Sequence, residues 1–255
     1  MEAFSRLWRF LILAGLVLSP LCFQLLPDEG SCAAVEELNP PASILANEVD
    51  WIAYKPIQFG PSRKELTLDY IRKHCDPAAT NILIDPQMIV IHWTASPTAE
   101  SAISAFRPEV LPPGRSELLR GGRLNVSSHF IVERDGKIIQ LMPENWMARH
   151  TIGLNRLAIG IENAGGPDFP LTGPQLTSNA ALVRKLSAKY PKISFLIGHH
   201  EYKSFQGTPL WQERDRSYIT GKLDPGPEFM AKLRQLTKDL GLSGSYGGAG
   251  KQSGN

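Results

Sequence analysis

Cysteine is scarce in this chain of 255 residues: there are three, and Cys22 and Cys32 fall within the first 33 positions. Cys75 alone serves the rest. One thiol closes no intramolecular disulfide, so a buried core, with any bound metal, must stabilise the fold. An excess of one charge is also missing. Lys and Arg number 27 against 25 Asp and Glu, a formal net charge of +2. No Lys/Arg block and no basic stripe with interleaved aromatics occurs, so nucleic-acid binding has no electrostatic footprint here. Three hydrolase signatures are absent as well. There is no His-Glu-x-x-His of a helix-borne zinc peptidase, no Pro-Cys-x-x-Cys of a zinc deaminase and no Gly-x-Ser-x-Gly elbow of a serine hydrolase.

The long apolar run lies at the start, from Phe10 to Leu26, after Arg6 and Arg9 and before Ser31-Cys32-Ala33. That order reads as a secretory leader with a small-residue cleavage site. Pro20 argues against a membrane span because it removes a helical hydrogen bond, although the run approaches the ~18 residues at which a span begins to be suggested. The expectation is a signal peptide over residues 1–33 and an exported, periplasmic or extracellular protein without stable membrane insertion. An uncleaved leader would leave it membrane-anchored. Cys22 and Cys32 lack the small-residue context of a lipid-modified cysteine. Residues 34–84 are expected to form an N-terminal extension with one helix, residues 85–240 the catalytic domain, and residues 241–255 a disordered Gly/Ser-rich tail.

Within these bounds, periodicity and turn residues predict the elements. Ser62-Arg63-Lys64-Glu65 has the capping-box pattern, with Leu68, Ile71 and Cys75 following at helical spacing, so a helix is expected over 62–75 with Cys75 a small core residue. Strands are expected over 87–93, 126–133, 138–142, 157–162 and 193–199, the second and third joined by a turn at Asp135-Gly136. Helices are expected from Ser96-Pro97 through Phe106, from the cap at Thr172 to Tyr190, and from Pro227 to Leu240. The fold class is α/β: a single domain with a central mixed β-sheet flanked by helices. His92, Glu162 and His199 then sit at the carboxyl ends of strands, where such sheets place their ligand crevices.

His92 ends the apolar run Met88-Ile89-Val90-Ile91, His199 lies in Gly198-His199-His200-Glu201-Tyr202, and Asp224 in Gly221-Lys222-Leu223-Asp224-Pro225-Gly226-Pro227. Two imidazoles and a carboxylate suit zinc and leave a fourth position open, as in a catalytic site. Any one of these histidines taken alone reads equally well as a hydrogen-bonded core residue; their flanking sequences add the weight. Glu201, beside His199, is a candidate to hydrogen-bond a ligand imidazole.

Taken with Ile89-Val90-Ile91-His92-Trp93-Thr94-Ala95, Val126-Ser127-Ser128-His129-Phe130, Arg134-Asp135-Gly136 and Ile159-Gly160-Ile161-Glu162, these motifs occur in one order between residues 88 and 230. In that order the chain resembles the zinc-dependent N-acetylmuramoyl-L-alanine amidases of the type-2 amidase family, related to peptidoglycan-recognition proteins and phage amidase lysozymes. The resemblance implies Zn2+ as cofactor, His92, His199 and Asp224 as its ligands, and peptidoglycan or muropeptides as partners. It implies Lys222 as the group stabilising an oxyanion and Glu162 as the carboxylate moving a proton. It offers His129, His150 and Asn163 as substrate-binding candidates, with support of a metal ligand as the other reading of His129 and packing as the other reading of His150. The reaction implied is cleavage of the amide between N-acetylmuramic acid and the L-alanine of the stem peptide. A non-catalytic muropeptide-binding module is the alternative, and retention of all five metal and catalytic residues argues against it. One departure stands out. Family members often join the second histidine to the Lys-x-Asp motif by a short loop, whereas here Lys203 to Thr220 intervenes, with Trp211 and Tyr218, as a wall or lid that could displace Lys222.

Overall fold

The computed structural model describes residues 51–247. The leader expected over residues 1–33, the start of the extension and residues 248–255 of the tail lie outside the described residues. Six strands form one mixed sheet: β1 (Ile52–Tyr54), β2 (Met88–Ile91), β3 (Phe130–Val132), β4 (Ile138–Gln140), β5 (Ala158–Asn163) and β6 (Phe195–Gly198), in the order β1-β4-β3-β5-β2-β6. Only β3 and β4 pair antiparallel, across the tight turn at Asp135-Gly136; the remaining pairs are parallel. Around the sheet lie α1 (Pro61–His74), α2 (Ala99–Phe106), the single turn α3 (Ser116–Leu119), α4 (Gly173–Lys189) and α5 (Pro227–Leu236). Among the described residues no helix is long and apolar enough to cross a membrane.

The sequence of each strand reports what covers it. β2 is Met-Ile-Val-Ile with every residue buried, the continuous apolar run of a parallel strand covered on both faces. β3 instead divides its side chains. Phe130 and Val132 join the larger core with Leu182 and Val183 of α4 and Leu233 of α5, while Ile131 joins a second core with Ala99, Ala102 and Ile103 of α2. The period of two therefore sends alternate residues to opposite helical layers. β1 and α1 belong to the same fold: β1 pairs with β4, and Tyr70 and Ile71 of α1 enter the larger core. Cys75 is free, packs against that core and has its thiol pushed up to about 12 by burial, which makes it unreactive.

Element ends differ from the periodic reading for local reasons. α1 is capped by Gly60 with Pro61 in the first turn and no side-chain capping bond, so Ser62 lies inside the helix and the expected capping box does not form. Proline is preorganised for that first position, where its missing N–H is one of those a helix start leaves unpaired. α2 begins after Thr98, whose hydroxyl accepts from the Ser101 N–H. At α4 the expectation holds: Thr172 and Gln175 form a complete capping box. The last helix stops at Thr237, whose hydroxyl donates to the Leu233 carbonyl, and a 3-10 turn follows over Lys238–Leu240. The start of the tail is ordered, contrary to expectation. Ser243 donates its N–H to Ser194 O at 2.8 Å and accepts from Leu196 N–H at 2.9 Å, covering the free edge of β6.

Candidate metal centre

The register of three parallel strands assembles the site. Ile91 of β2 pairs with Gly198 of β6 on one side and with Ile161 of β5 on the other. The next residue on each strand is therefore His92, His199 and Glu162, level with one another at the carboxyl edge. Asp224 arrives from the loop before α5. His200 fixes it there, donating to the Asp224 carbonyl from its backbone N–H at 2.9 Å and from Nδ1 at 3.0 Å. A buried residue held by two bonds to its own backbone loses little further freedom when its carboxylate is engaged.

The ligand atoms converge. Nδ1 of His92 lies 3.0 Å from Nδ1 of His199, and Asp224 Oδ2 lies 3.1 Å from the first and 3.0 Å from the second. The edge of a tetrahedron with ~2.05 Å arms is ~3.3 Å, so the three atoms are spaced as a zinc ion requires to within about 0.3 Å. Protonation fits as well. Burial, with His92 beside it, pushes the His199 imidazole down to about 4 against the opposing pull of Asp224. Burial works to raise the Asp224 carboxyl, but the bonds and charges of His199 and His92 outweigh it and hold the group below the usual carboxylate range. A neutral imidazole and an ionised carboxylate are the forms that bind a metal. These three residues form a possible metal-holding cluster among the described residues.

Glu162 is 9% exposed, and its Oε2 has no hydrogen-bond partner. Burial, reinforced by the charge of Asp224, raises its carboxyl well above the ordinary range, with Lys222 and Arg115 opposing. Glu162, Lys222 and the three convergent residues line one cavity of about 290 Å3, whose walls include Tyr70, Arg149 and Tyr218. Lys222 thus remains at the site despite the long segment before it. That segment is a wall. Tyr202 OH accepts from Thr220 N–H at 3.0 Å and donates to the carbonyl of the same residue, Trp211 stacks on Tyr202 at 6.0 Å, and Tyr218 and Thr220 face the cavity. Glu213 of the same segment meets His74 of α1 at 2.8 Å, each side chain 1% exposed.

The three residues expected at the substrate separate. His150 lines the cavity, with Nδ1 3.0 Å from His92 Nε2 and 2.9 Å from Thr151 Oγ1. It occupies room that only a glycine leaves: a Cβ at Gly160 would lie 2.9 Å from the His150 ring. His129 does not reach the cavity. It is fully buried, Nε2 donates to Trp146 O at 2.8 Å and Nδ1 accepts from Gly160 N–H at 3.0 Å, so both nitrogens are spent inside the fold. Asn163 is likewise buried, its amide donating to His92 O at 3.0 Å and accepting from Asn179. It supports the backbone of His92 and has no free polar atom for a substrate. Glu201 bonds neither ligand imidazole: it accepts from Gly198 N–H at 2.7 Å, pairs with Arg234 and lies 3.9 Å from His200 Nε2. The sequence reading missed Arg115 and Thr151 on the cavity walls and the role of His200. Only the last had a signal, its place beside His199.

The family model described as N-acetylmuramoyl-L-alanine amidase matches residues 83–227, which include all five of these residues. A 1,6-anhydro-N-acetylmuramyl-L-alanine amidase of Salmonella typhimurium is 32% identical over 158 residues, covering 56% of this chain and 76% of the relative. Its counterpart in Citrobacter freundii is 29% identical over 167 residues, covering 60% and 81%. Among solved structures, the amidase LysC of Clostridium intestinale matches with 24% identity and a TM-score of 0.40, covering 72% of this chain and 97% of that one.

Proposed function

The chain belongs to the N-acetylmuramoyl-L-alanine amidase family, and from that premise we propose that it is a zinc-dependent enzyme. Its reaction in this reading is hydrolysis of the amide between the lactyl group of N-acetylmuramic acid and the first L-alanine of peptidoglycan stem peptides, in wall turnover or remodelling. The observation that carries the reading is the meeting of His92 Nδ1, His199 Nδ1 and Asp224 Oδ2 within 3.1 Å beside the unpartnered Oε2 of Glu162. Zinc held by the first three would supply Lewis acidity at the amide carbonyl and a water of lowered pKa.

The chain's own groups do the rest. Glu162, which lines the cavity, in its ionised form takes the proton of the attacking water on its carboxylate and delivers it to the departing alanine nitrogen, which is a poor leaving group without it. Lys222, on the same cavity, offsets the negative charge that grows on the carbonyl oxygen. His150, against His92 Nε2, sets the orientation of that imidazole. The leader-type residues 1–33 support export, which would bring the enzyme to the wall.

The test is release of free stem peptide from purified peptidoglycan by the chain lacking residues 1–33, after chelation and after zinc is restored, with His199→Ala alongside. Zinc-dependent release that disappears in the variant is the expected result. Muropeptide binding with no release under any condition would overturn the enzyme and leave a recognition module.

A further inference from the structure

A second depression, of about 510 Å3, adjoins the catalytic cavity. Trp93, the residue after His92, lines both, and Pro225, the residue after Asp224, lies on the second. Its volume falls within the ~300–1,000 Å3 of ligand pockets. The two spaces differ in chemistry. The catalytic cavity carries the cations Lys222, Arg115 and Arg149 against the carboxyl groups of Asp224 and Glu162, together with the hydroxyls of Thr151 and Thr220. The adjoining groove is walled by Trp93, Pro167, Pro170, Leu171, Pro225 and Phe229. Its two charged members, Glu228 and Lys232, pair with each other at 2.7 Å one turn apart on α5, so it presents no free charge.

The substrate class has two unlike arms. The stem peptide ends in carboxylates, whereas the sugar units are neutral rings with apolar C–H faces and hydroxyl edges once the lactyl carboxyl is consumed in the amide. Charge matching directs the peptide to the cationic cavity. The uncharged groove, with an indole face and proline rings, matches pyranose rings, which offer an apolar face and a polar rim. We propose that this groove is a saccharide subsite for the sugar units that continue from the muramoyl residue, and that the enzyme acts on glycan strands in preference to single-sugar muramoyl peptides. The proposal rests on the amidase reading and goes beyond it in naming which form of the substrate is taken.

Gly173, at the start of α4, lines the groove, and a Cβ added there meets nothing within 4 Å. Gly173→Phe therefore fills the groove without touching the catalytic residues, and Gly173→Ala is a control that leaves it open. The experiment uses the full zinc-loaded chain on muramoyl peptides of one stem sequence bearing one, two or four sugar units, with direct binding of the neutral N-acetylglucosamine tetramer as a second readout. The expected result is a kcat/KM that rises at least about tenfold from one sugar to four, the scale of a filled apolar subsite. In Gly173→Phe that rise disappears together with tetramer binding, the one-sugar rate is kept, and Gly173→Ala behaves as the parent. Turnover of the one-sugar substrate with no dependence on length, or a length preference that survives Gly173→Phe unchanged, would overturn the subsite and leave the amidase standing. Tetramer binding lost in Gly173→Phe, with no turnover of any substrate, would instead overturn the amidase and keep the groove as a sugar site.

Discussion

Glu162→Gln should separate stability from activity in a way that depends on pH. The substitution keeps the shape of a side chain that is 9% exposed with Oε2 unpartnered, and it removes the titration. In the metal-free fold, burial and the charge of Asp224 hold this carboxyl protonated well above its ordinary 4.5, the value it regains on unfolding. The folded parent therefore binds more protons than the unfolded chain at pH above 4.5. Its stabilising contribution is complete below that pH and declines as pH rises, by up to ~1.4 kcal/mol per pH unit. The glutamine variant lacks this decline, and the background of other titrating groups is common to both proteins. As pH rises from 5 the parent should therefore lose stability relative to the variant. Urea melts of chelated protein at successive pH values measure it. Parallel stability curves would refute the account of Glu162 as a desolvated carboxyl. With zinc restored, the same variant should lose about 10²- to 10⁴-fold in kcat, the usual worth of general acid–base help, at unchanged zinc content.

Three other outcomes follow from the packing. His199→Ala and Asp224→Asn should each retain only background zinc after dialysis, by metal analysis, while circular dichroism stays that of the parent; stoichiometric zinc in either would remove that residue from the ligand set. Glu213→Ala strands His74 in a site where both side chains are 1% exposed. Leaving a buried hydrogen-bonding group without its partner costs ~1–3 kcal/mol, and at ~2–4 °C per kcal/mol a thermal melt should fall by at least about 2 °C; a shift below about 1 °C would mean that the pair contributes little. Gly160→Ala drives a methyl to 2.9 Å from the His150 ring. Displacing His150 from His92 should weaken zinc about 10- to 100-fold in competition with a chromophoric chelator, and unaltered affinity would remove His150 from the support of that ligand.

The parts of the fold that were legible in the sequence are those specified by short-range pattern. β2 and β6 are apolar runs that end in histidine, and the turn at Asp135-Gly136 joins β3 to β4, so the sheet and the residues at its carboxyl edge could be read directly. What escaped depends on partners far along the chain. His129 meets Gly160, 31 positions on, and Trp146, 17 positions on, and nothing beside it in sequence tells a spent imidazole from an available one. Asn163 reads as a neighbour of Glu162, yet on a strand neighbours point to opposite faces, and its amide turns to Asn179 in the core. His74 and Glu213 are 139 positions apart. Ser62 was misread for a local reason, because Pro61 competes for the same helix start. Arg115 lies on a stretch without periodicity, so only the folded chain puts it on the cavity wall.

The bond pair between Tyr202 and Thr220 has a consequence for how this scaffold can change. It fastens the two ends of the intervening segment to each other, so the segment leaves and rejoins the body of the protein at nearly one point, in the manner of an Ω-loop. Doubling the length of such a loop costs only ~0.6 kcal/mol in closure entropy. The span from His199 to Asp224 can thus be long in residues while the ligand atoms stay 3.0 Å apart. Loops of other lengths closed by the same clasp could remodel the rim of the cleft provided that they replace the buried contacts of Glu213 and Tyr218 with the body, and such a graft offers a route to new substrate preference.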